Sequence, residues 1–291
     1  MRVLVVGATG MMGHRLLRRL DKEAEAWGTM RRVPPAVMDE VTAAHLIPGI
    51  HADDPDSLTR AFDAARPDVV VNCAGVTDHR PPPQRLAAAL ETNAVLPHRL
   101  ADLCAQRGNR LLHLSTDCVF SGRRGRYREG DPPDPVDSYG HSKLLGEMRR
   151  PGCLTIRTSM IGWQLRGSRG LAEWFAEHRH QGIRGYRRAV FSGLSTAALG
   201  EILTQLALEG TPSEGLYHVA AEPIDKHALL SQLAAALEWR TSIEPVDEPV
   251  IDRSLDGSAF RAATGWTPPD WGEMLHGLAD ERPTYEEWRS R

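Results

Sequence analysis

Val3-Leu4-Val5-Val6 runs without a break into Gly7-Ala8-Thr9-Gly10-Met11-Met12-Gly13, after which Leu16, Leu17 and Leu20 recur at helical spacing between arginines. A short apolar strand entering a helix through a glycine turn is the opening of a βαβ unit. In G-x-x-G-x-x-G spacing, the first glycine permits the tight turn. The second lets a pyrophosphate approach the backbone, and the third allows the helix to pack closely. The helix N-terminus adds free N–H groups and a partial positive charge. Such glycines are a weak signal alone; the strand before them and the helix after them give them weight. Gly7, Thr9, Gly10, Met11, Met12 and Gly13 are therefore the expected cradle of a dinucleotide.

The alternation continues. Extended segments are predicted at 25–30, 45–50, 68–72, 111–114 and 154–158, with helices at 58–65, capped by Ser57, and at 84–106, bent or split by Pro97. This pattern predicts an α/β protein whose doubly wound parallel sheet is of Rossmann type and occupies residues 1–160. Beyond 160 the pattern loosens. Helices are expected at 171–180, 196–208 and 227–239, with an extended piece at 215–219, and six of the seven tryptophans lie in this half. Residues 161–291 are expected to form mainly a smaller C-terminal α/β substrate-binding lobe, some of whose segments return to the Rossmann domain.

Composition excludes several classes. A chain of 291 residues buries a core without metal or disulfide staples. Thirty-five basic against 38 acidic residues leave no polybasic excess for nucleic acid or a membrane surface. Cys73, Cys104, Cys118 and Cys153 contain no C-x-x-C pair, so neither a metal site nor a disulfide framework is expected. No run of about 18 apolar residues exists, and the apolar start is too short for a signal-peptide core, which makes a reducing cytoplasm the expectation.

Cofactor choice is read about 20 residues past the glycines, where an acidic side chain would bond a ribose 2′-hydroxyl. The chain has Thr29-Met30-Arg31-Arg32 there. Guanidinium groups bind a 2′-phosphate through charge-assisted bonds that a carboxylate would oppose. NADP(H) is preferred on these residues, with NAD(H) possible.

Tyr139-Gly-His-Ser-Lys143 places a phenol and an ammonium four residues apart, on one face of a helix that Asp137 or Ser138 could cap. A phenol near its ordinary pKa is a poor acid–base group at neutral pH, and a neighbouring cation would lower it. Lysine occurs only three times, at Lys22, Lys143 and Lys226, which makes this placement informative.

Gly7-x-x-Gly10-x-x-Gly13, Asn72-Cys-Ala-Gly75, Ser115-Thr-Asp-Cys-Val-Phe-Ser-Gly122 and Tyr139-Gly-x-Ser-Lys143-x-x-Gly-Glu147 together resemble an extended short-chain dehydrogenase/reductase. Within that superfamily the chain is most similar to the dTDP-4-dehydrorhamnose reductase-like nucleotide-sugar reductases. The resemblance implies a catalytic unit in which Thr116 bonds the substrate carbonyl, Tyr139 supplies the proton and Lys143 tunes Tyr139 and grips ribose. It places Asn72, Ala74 and Gly75 along the cofactor and Ser115 and Asp117 beside the site; Cys73 and Ser115 are counted with the cofactor residues, and Val76, Asp117, Trp163, which could stack on sugar or base, and Arg187 with the substrate residues. Asn93 reads more as a backbone organiser, and His51 stands where the family often carries an aspartate toward adenine.

The implied reaction is NADPH-dependent reduction of a 4-keto (deoxy) nucleotide sugar. Dehydratases on this scaffold usually carry Glu directly after Thr-Asp, where this chain has Cys118. Epimerisation and a non-catalytic NADP-binding regulatory subunit remain the alternatives. Arg166, Arg169, Arg184, Arg187 and Arg188 are candidate cations for the substrate's pyrophosphate, and helices outside the sheet could pair two copies as a homodimer.

Overall fold

The computed structural model describes residues 1–32, 38–79, 81–167 and 170–290. Six strands of the first half, β1 (Arg2–Val6), β2 (Glu25–Thr29), β3 (His45–Ile47), β4 (Val69–Asn72), β5 (Arg110–Thr116) and β6 (Cys153–Thr158), lie parallel. A seventh, Gly215–His218, returns from the second half to pair parallel with β6. The order across the sheet is Gly215–His218, β6, β5, β4, β1, β2, β3. Strand order reverses between β1 and β4, and the loops leaving their carboxyl ends part there, which opens a ligand crevice in sheets of this type.

Each central strand is apolar on both faces because helices cover both. Val3, Val5, Val69 and Val71 face α1 (Met11–Leu20) and the helix Thr196–Glu209, whereas Leu4 and Val70 face the helices Pro55–Ala65 and Leu96–Arg107. The second half supplies that Thr196–Glu209 helix and three small sheets. In these, Met160–Ile161 pairs with Leu194–Ser195, Ala189–Phe191 with both Ile224–Asp225 and Ile251–Asp252, and Ile183–Tyr186 with Ile243–Val246.

Local differences from the sequence expectation have physical causes. Asp54, not Ser57, caps the helix Pro55–Ala65, accepting from Ser57 N at 3.1 Å, with Pro55 pre-set for the first helical position. The helix at 84–106 is split, as Pro97 led the sequence reading to expect: Pro83–Leu90 passes through a π turn, Glu91–Val95, into Leu96–Arg107. Pro97 lacks an N–H, and the wide turn just before it accommodates that loss.

The terminal helix, Trp271–Ser290, was not expected, because charged residues and Pro283 blur its apolar period. It is anchored on α1 by a buried hydrogen bond between His14 Nε2 and Tyr285 Oη at 2.6 Å, and by the Arg15–Glu281 ion pair. Among the described residues no helix is long and apolar enough to cross a membrane.

Candidate active site

At the end of β1 the glycine turn behaves as its spacing requires. Gly7 has φ +89°, and a Cβ there would lie 2.9 Å from Ala74 Cα, so β1 and β4 can approach only because this residue has no side chain. A Cβ on Gly13 would collide with the Gly7 carbonyl. Gly10 caps α1 without a side-chain acceptor, so the first-turn N–H groups, including those of Met11 and Met12, have no acceptor within the helix. The Met12 side chain is buried in the core. Met12 can therefore serve a ligand through its backbone, not its side chain.

A cavity of about 400 Å³ opens over this turn. Gly7, Thr9, Gly10, Thr29 and Arg31 line one side, and Cys73, Ala74, Gly75 and Val76 the other. Ile50, His51 and Leu58 form one end, while Thr92, Leu96, Gln164 and Arg166 also reach the cavity. The residues fit a dinucleotide on the structure's own terms: glycine clearance, unpaired helix N–H groups, an apolar end and two arginines. Arg31 lies at the cavity; Arg32 is exposed beyond it. Arg166, expected near the substrate, lines the dinucleotide cavity instead, and Arg169 lies outside the described residues. Thr29, Thr92 and Gln164 were missed, because a lone polar residue near a strand or in a loop carries no spacing signal.

Two expected cofactor residues have other work. Asn72 is buried, with Nδ2 3.1 Å from His113 Nδ1, and its Oδ1 accepts from Ala74 N at 3.1 Å, so it shapes the loop rather than facing the cavity. Ser115 donates to Glu147 Oε1 at 2.6 Å, and Glu147 is held by Arg157 in a buried ion pair. A buried pair of this kind leaves its carboxylate needing every donor it has.

The three residues expected to be catalytic, Thr116, Tyr139 and Lys143, come together near the end of β5. Asp137 caps the helix Ser138–Leu145 by accepting from Gly140 N at 2.8 Å, which sets Tyr139 and Lys143 on their shared face. Thr116 Oγ1 donates to Asp117 Oδ1 at 3.1 Å and accepts from Cys118 N at 3.1 Å. The Tyr139 phenol hydrogen-bonds Thr116. Lys143 Nζ donates to the Leu114 carbonyl at 2.6 Å.

The electrostatics differ from the sequence expectation. Burial, reinforced by Cys118, raises the Tyr139 phenol above its ordinary value, outweighing the lowering contact with Thr116. Tyr139 is thus kept protonated, the form a proton donor needs. Burial lowers Lys143 to about 8, against the pull of Glu147. Burial also raises Asp117, against Arg253 and Lys226. Cys73 is pushed up to about 12 by burial and Cys118 is raised for the same reason, which disfavours the thiolate of each.

Asn93 organises the site. Its Oδ1 accepts from Val76 N at 2.8 Å, and its Nδ2 donates to Val76 O and Ser142 Oγ, each at 2.9 Å. One buried amide therefore ties the cavity loop to the Tyr139–Lys143 helix.

Two substrate expectations fail. Trp163 is 1% exposed, its indole N–H donating to the Leu278 carbonyl at 2.7 Å, so it belongs to the core with the terminal helix. Arg187 is exposed, is paired with Asp247 at 2.9 Å and does not line the glycine-turn cavity. Missed near Asp117 were Lys226 and Arg253, which only tertiary packing brings there.

Residues 1–281 match the family described as RmlD substrate binding domain. The chain is 30% identical over 305 residues to a dTDP-4-dehydrorhamnose reductase of Burkholderia thailandensis, covering 93% of this chain and 95% of that one. It is 27% identical over 265 residues to methionine adenosyltransferase 2 subunit beta of Danio rerio, covering 83% and 75%. Its fold is similar to the crystal structure of dTDP-4-dehydrorhamnose reductase from Bacillus anthracis in complex with NADP, with TM-score 0.78, 19% identity and coverage of 96% and 99%.

Proposed function

The chain belongs to the RmlD substrate binding domain family, and on that premise we propose that it is an NADPH-dependent reductase of a 4-keto nucleotide sugar. The observation that carries the reading is the protonated Tyr139 bonded to Thr116, with Lys143 one helical turn away, at the sheet edge beside the glycine-turn cavity. When bound there, NADPH supplies the hydride.

The protein's own part is orientation and proton delivery. A sugar carbonyl drawn up to Thr116 and Tyr139 displaces their mutual bond and takes the phenol hydrogen, and the Tyr139 proton moves to the carbonyl oxygen as negative charge develops there. Thr116 can turn its hydrogen from Asp117 to the same oxygen, since a hydroxyl rotates freely. Lys143 then balances the phenolate left behind. Holding the reactants at near-attack separation is the larger share of the rate. Gly7, Thr9, Gly10, Gly13, the N–H groups of Met11 and Met12, Arg31, Cys73, Ala74 and Gly75 are the proposed cofactor contacts, and Val76 and Asp117 the substrate contacts.

Cys118 where dehydratases usually have Glu argues against 4,6-dehydration. The similarity to methionine adenosyltransferase 2 subunit beta keeps a regulatory reading in view, but Thr116, Tyr139 and Lys143 are all present and converge. The exposed Leu86, Leu90, Val136 and Leu145 support a homodimer, and the balanced charge supports a cytoplasmic enzyme that binds no nucleic acid.

Turnover tests the reading. Purified protein with NADPH and a 4-keto-6-deoxy nucleotide sugar is expected to consume NADPH. Tyr139→Phe should abolish consumption while leaving NADPH binding unchanged. In the same assay Arg31→Ala should weaken NADPH by roughly tenfold and NADH little. Turnover by Tyr139→Phe would refute its role, and equal losses for both cofactors would reject the 2′-phosphate contact.

A further inference from the structure

Lys226, one of three lysines, opens the helix Lys226–Ala236, with Asp225 as its cap. Folding alone gives little reason for it. A cation there meets the positive end of the helix dipole, and burial lowers its pKa to about 8. Among the described residues its Nζ makes no hydrogen bond or close ion pair; it lies 3.7 Å from the centre of the Phe191 ring. Cation–π contact holds the ammonium but does not neutralise it.

Arg253 reaches the same place from another segment. Its Nε donates to the Phe120 carbonyl at 3.0 Å and one terminal nitrogen to Cys118 Sγ at 3.5 Å, which fixes the guanidinium plane. Both cations act on Asp117, which is buried and adjoins Thr116. Asp137, which also feels Arg253, is already committed to Gly140 N and His79. Two cations therefore share one carboxylate beside the Thr116–Tyr139 pair, and among the described residues Lys226 has no close ion-pair partner.

We propose that Lys226 and Arg253 form an anion subsite of the substrate pocket, taking a phosphate or carboxylate oxygen of the nucleotide sugar beside the carbonyl held by Thr116 and Tyr139. The ligand's identity rests on the reductase reading; the two cations on one carboxylate do not. Either the diphosphate or a carboxylate on the sugar offers this chemistry. Arg253 is anchored and sets direction, whereas Lys226 has a flexible stem over Phe191 and follows the ligand.

Calorimetry on the full chain saturated with NADPH separates the sources. The probes are thymidine, thymidine diphosphate, UDP-glucose and UDP-glucuronate, compared between the native protein and Lys226→Met, whose apolar stem keeps the Phe191 contact. If the diphosphate is the anion, the variant loses roughly tenfold or more in affinity for thymidine diphosphate and none for thymidine. If a sugar carboxylate is the anion, the variant loses a preference for UDP-glucuronate over UDP-glucose and binds thymidine diphosphate as before. Lys226→Arg should restore most of either loss. Unchanged affinity for all four probes, with NADPH binding intact, overturns the proposal. Should Lys226→Met fail to fold, Lys226→Gln is read by the same criteria. A native protein that shows the anion effect but consumes no NADPH with any keto sugar would reject the reductase reading and leave the subsite standing.

Discussion

Replacing Asn93 by Ala should loosen the cavity and the helix Ser138–Leu145 together. The amide is fully buried and makes three bonds of 2.8–2.9 Å, two to the Val76 backbone and one to Ser142 Oγ. A hydrogen bond contributes about 1 kcal/mol net, and a polar group left buried without a partner costs about 1–3 kcal/mol. Ser142 keeps a second bond, to the Tyr139 carbonyl, and Val76 is only partly buried, so water can repair some of the damage. The loss should therefore be about 3 kcal/mol, toward the low end of the sum, or on the order of 6 °C in Tm.

A purely structural bond would stop there. Val76 lines the cavity, and Ser142 sits on the helix that carries Tyr139 and Lys143, so NADPH affinity and kcat should fall as well. The assays are urea denaturation, NADPH fluorescence titration and steady-state turnover. Asn93→Asp keeps the acceptor for Val76 N but loses both donated bonds, so it should fall between native and alanine. A loss below about 1 kcal/mol with unchanged NADPH affinity would refute the organising role.

Two further outcomes follow from the same structure. His14 and His218 are held near 4 by burial, and His113 is well below its ordinary value for the same reason. All three must stay neutral when folded but protonate when unfolded, so the unfolded state binds more protons between about 4 and 6.5 and stability falls as pH drops through that window. A shift like that of His14 is worth about 3 kcal/mol, and Asp117, raised by burial, opposes the trend as a single group. Urea midpoints that stay flat from pH 6.5 to 4.5 would refute this. Light scattering should give twice the 32.1 kDa chain mass, and the mass of one chain would reject the homodimer.

What the sequence reveals is what local periodicity encodes. The glycine turn, the apolar strands at 3–6 and 68–72 and the helical spacing of Tyr139 and Lys143 each bear a signal within a few residues. They were legible because backbone geometry leaves few ways to satisfy them. Strand β5 ran two residues further than its apolar run, through Ser115 and Thr116, because its ladder with β6 continues past the last leucine.

Side-chain orientation across long sequence separations was not legible. Trp163 and Arg187 were residue types suited to a sugar phosphate, yet one fills the core under Leu278 and the other pairs with Asp247. Lys226 and Arg253 carried no motif, and they come to Asp117 from more than one hundred residues away along the chain. The sequence by itself determined the dinucleotide fold and the placing of Tyr139 and Lys143 on one helix face, since both are written in short-range spacing. Only tertiary structure decided the phenol's protonation state and which cations attend it, because burial and charge proximity arise from segments that meet only when the chain has folded.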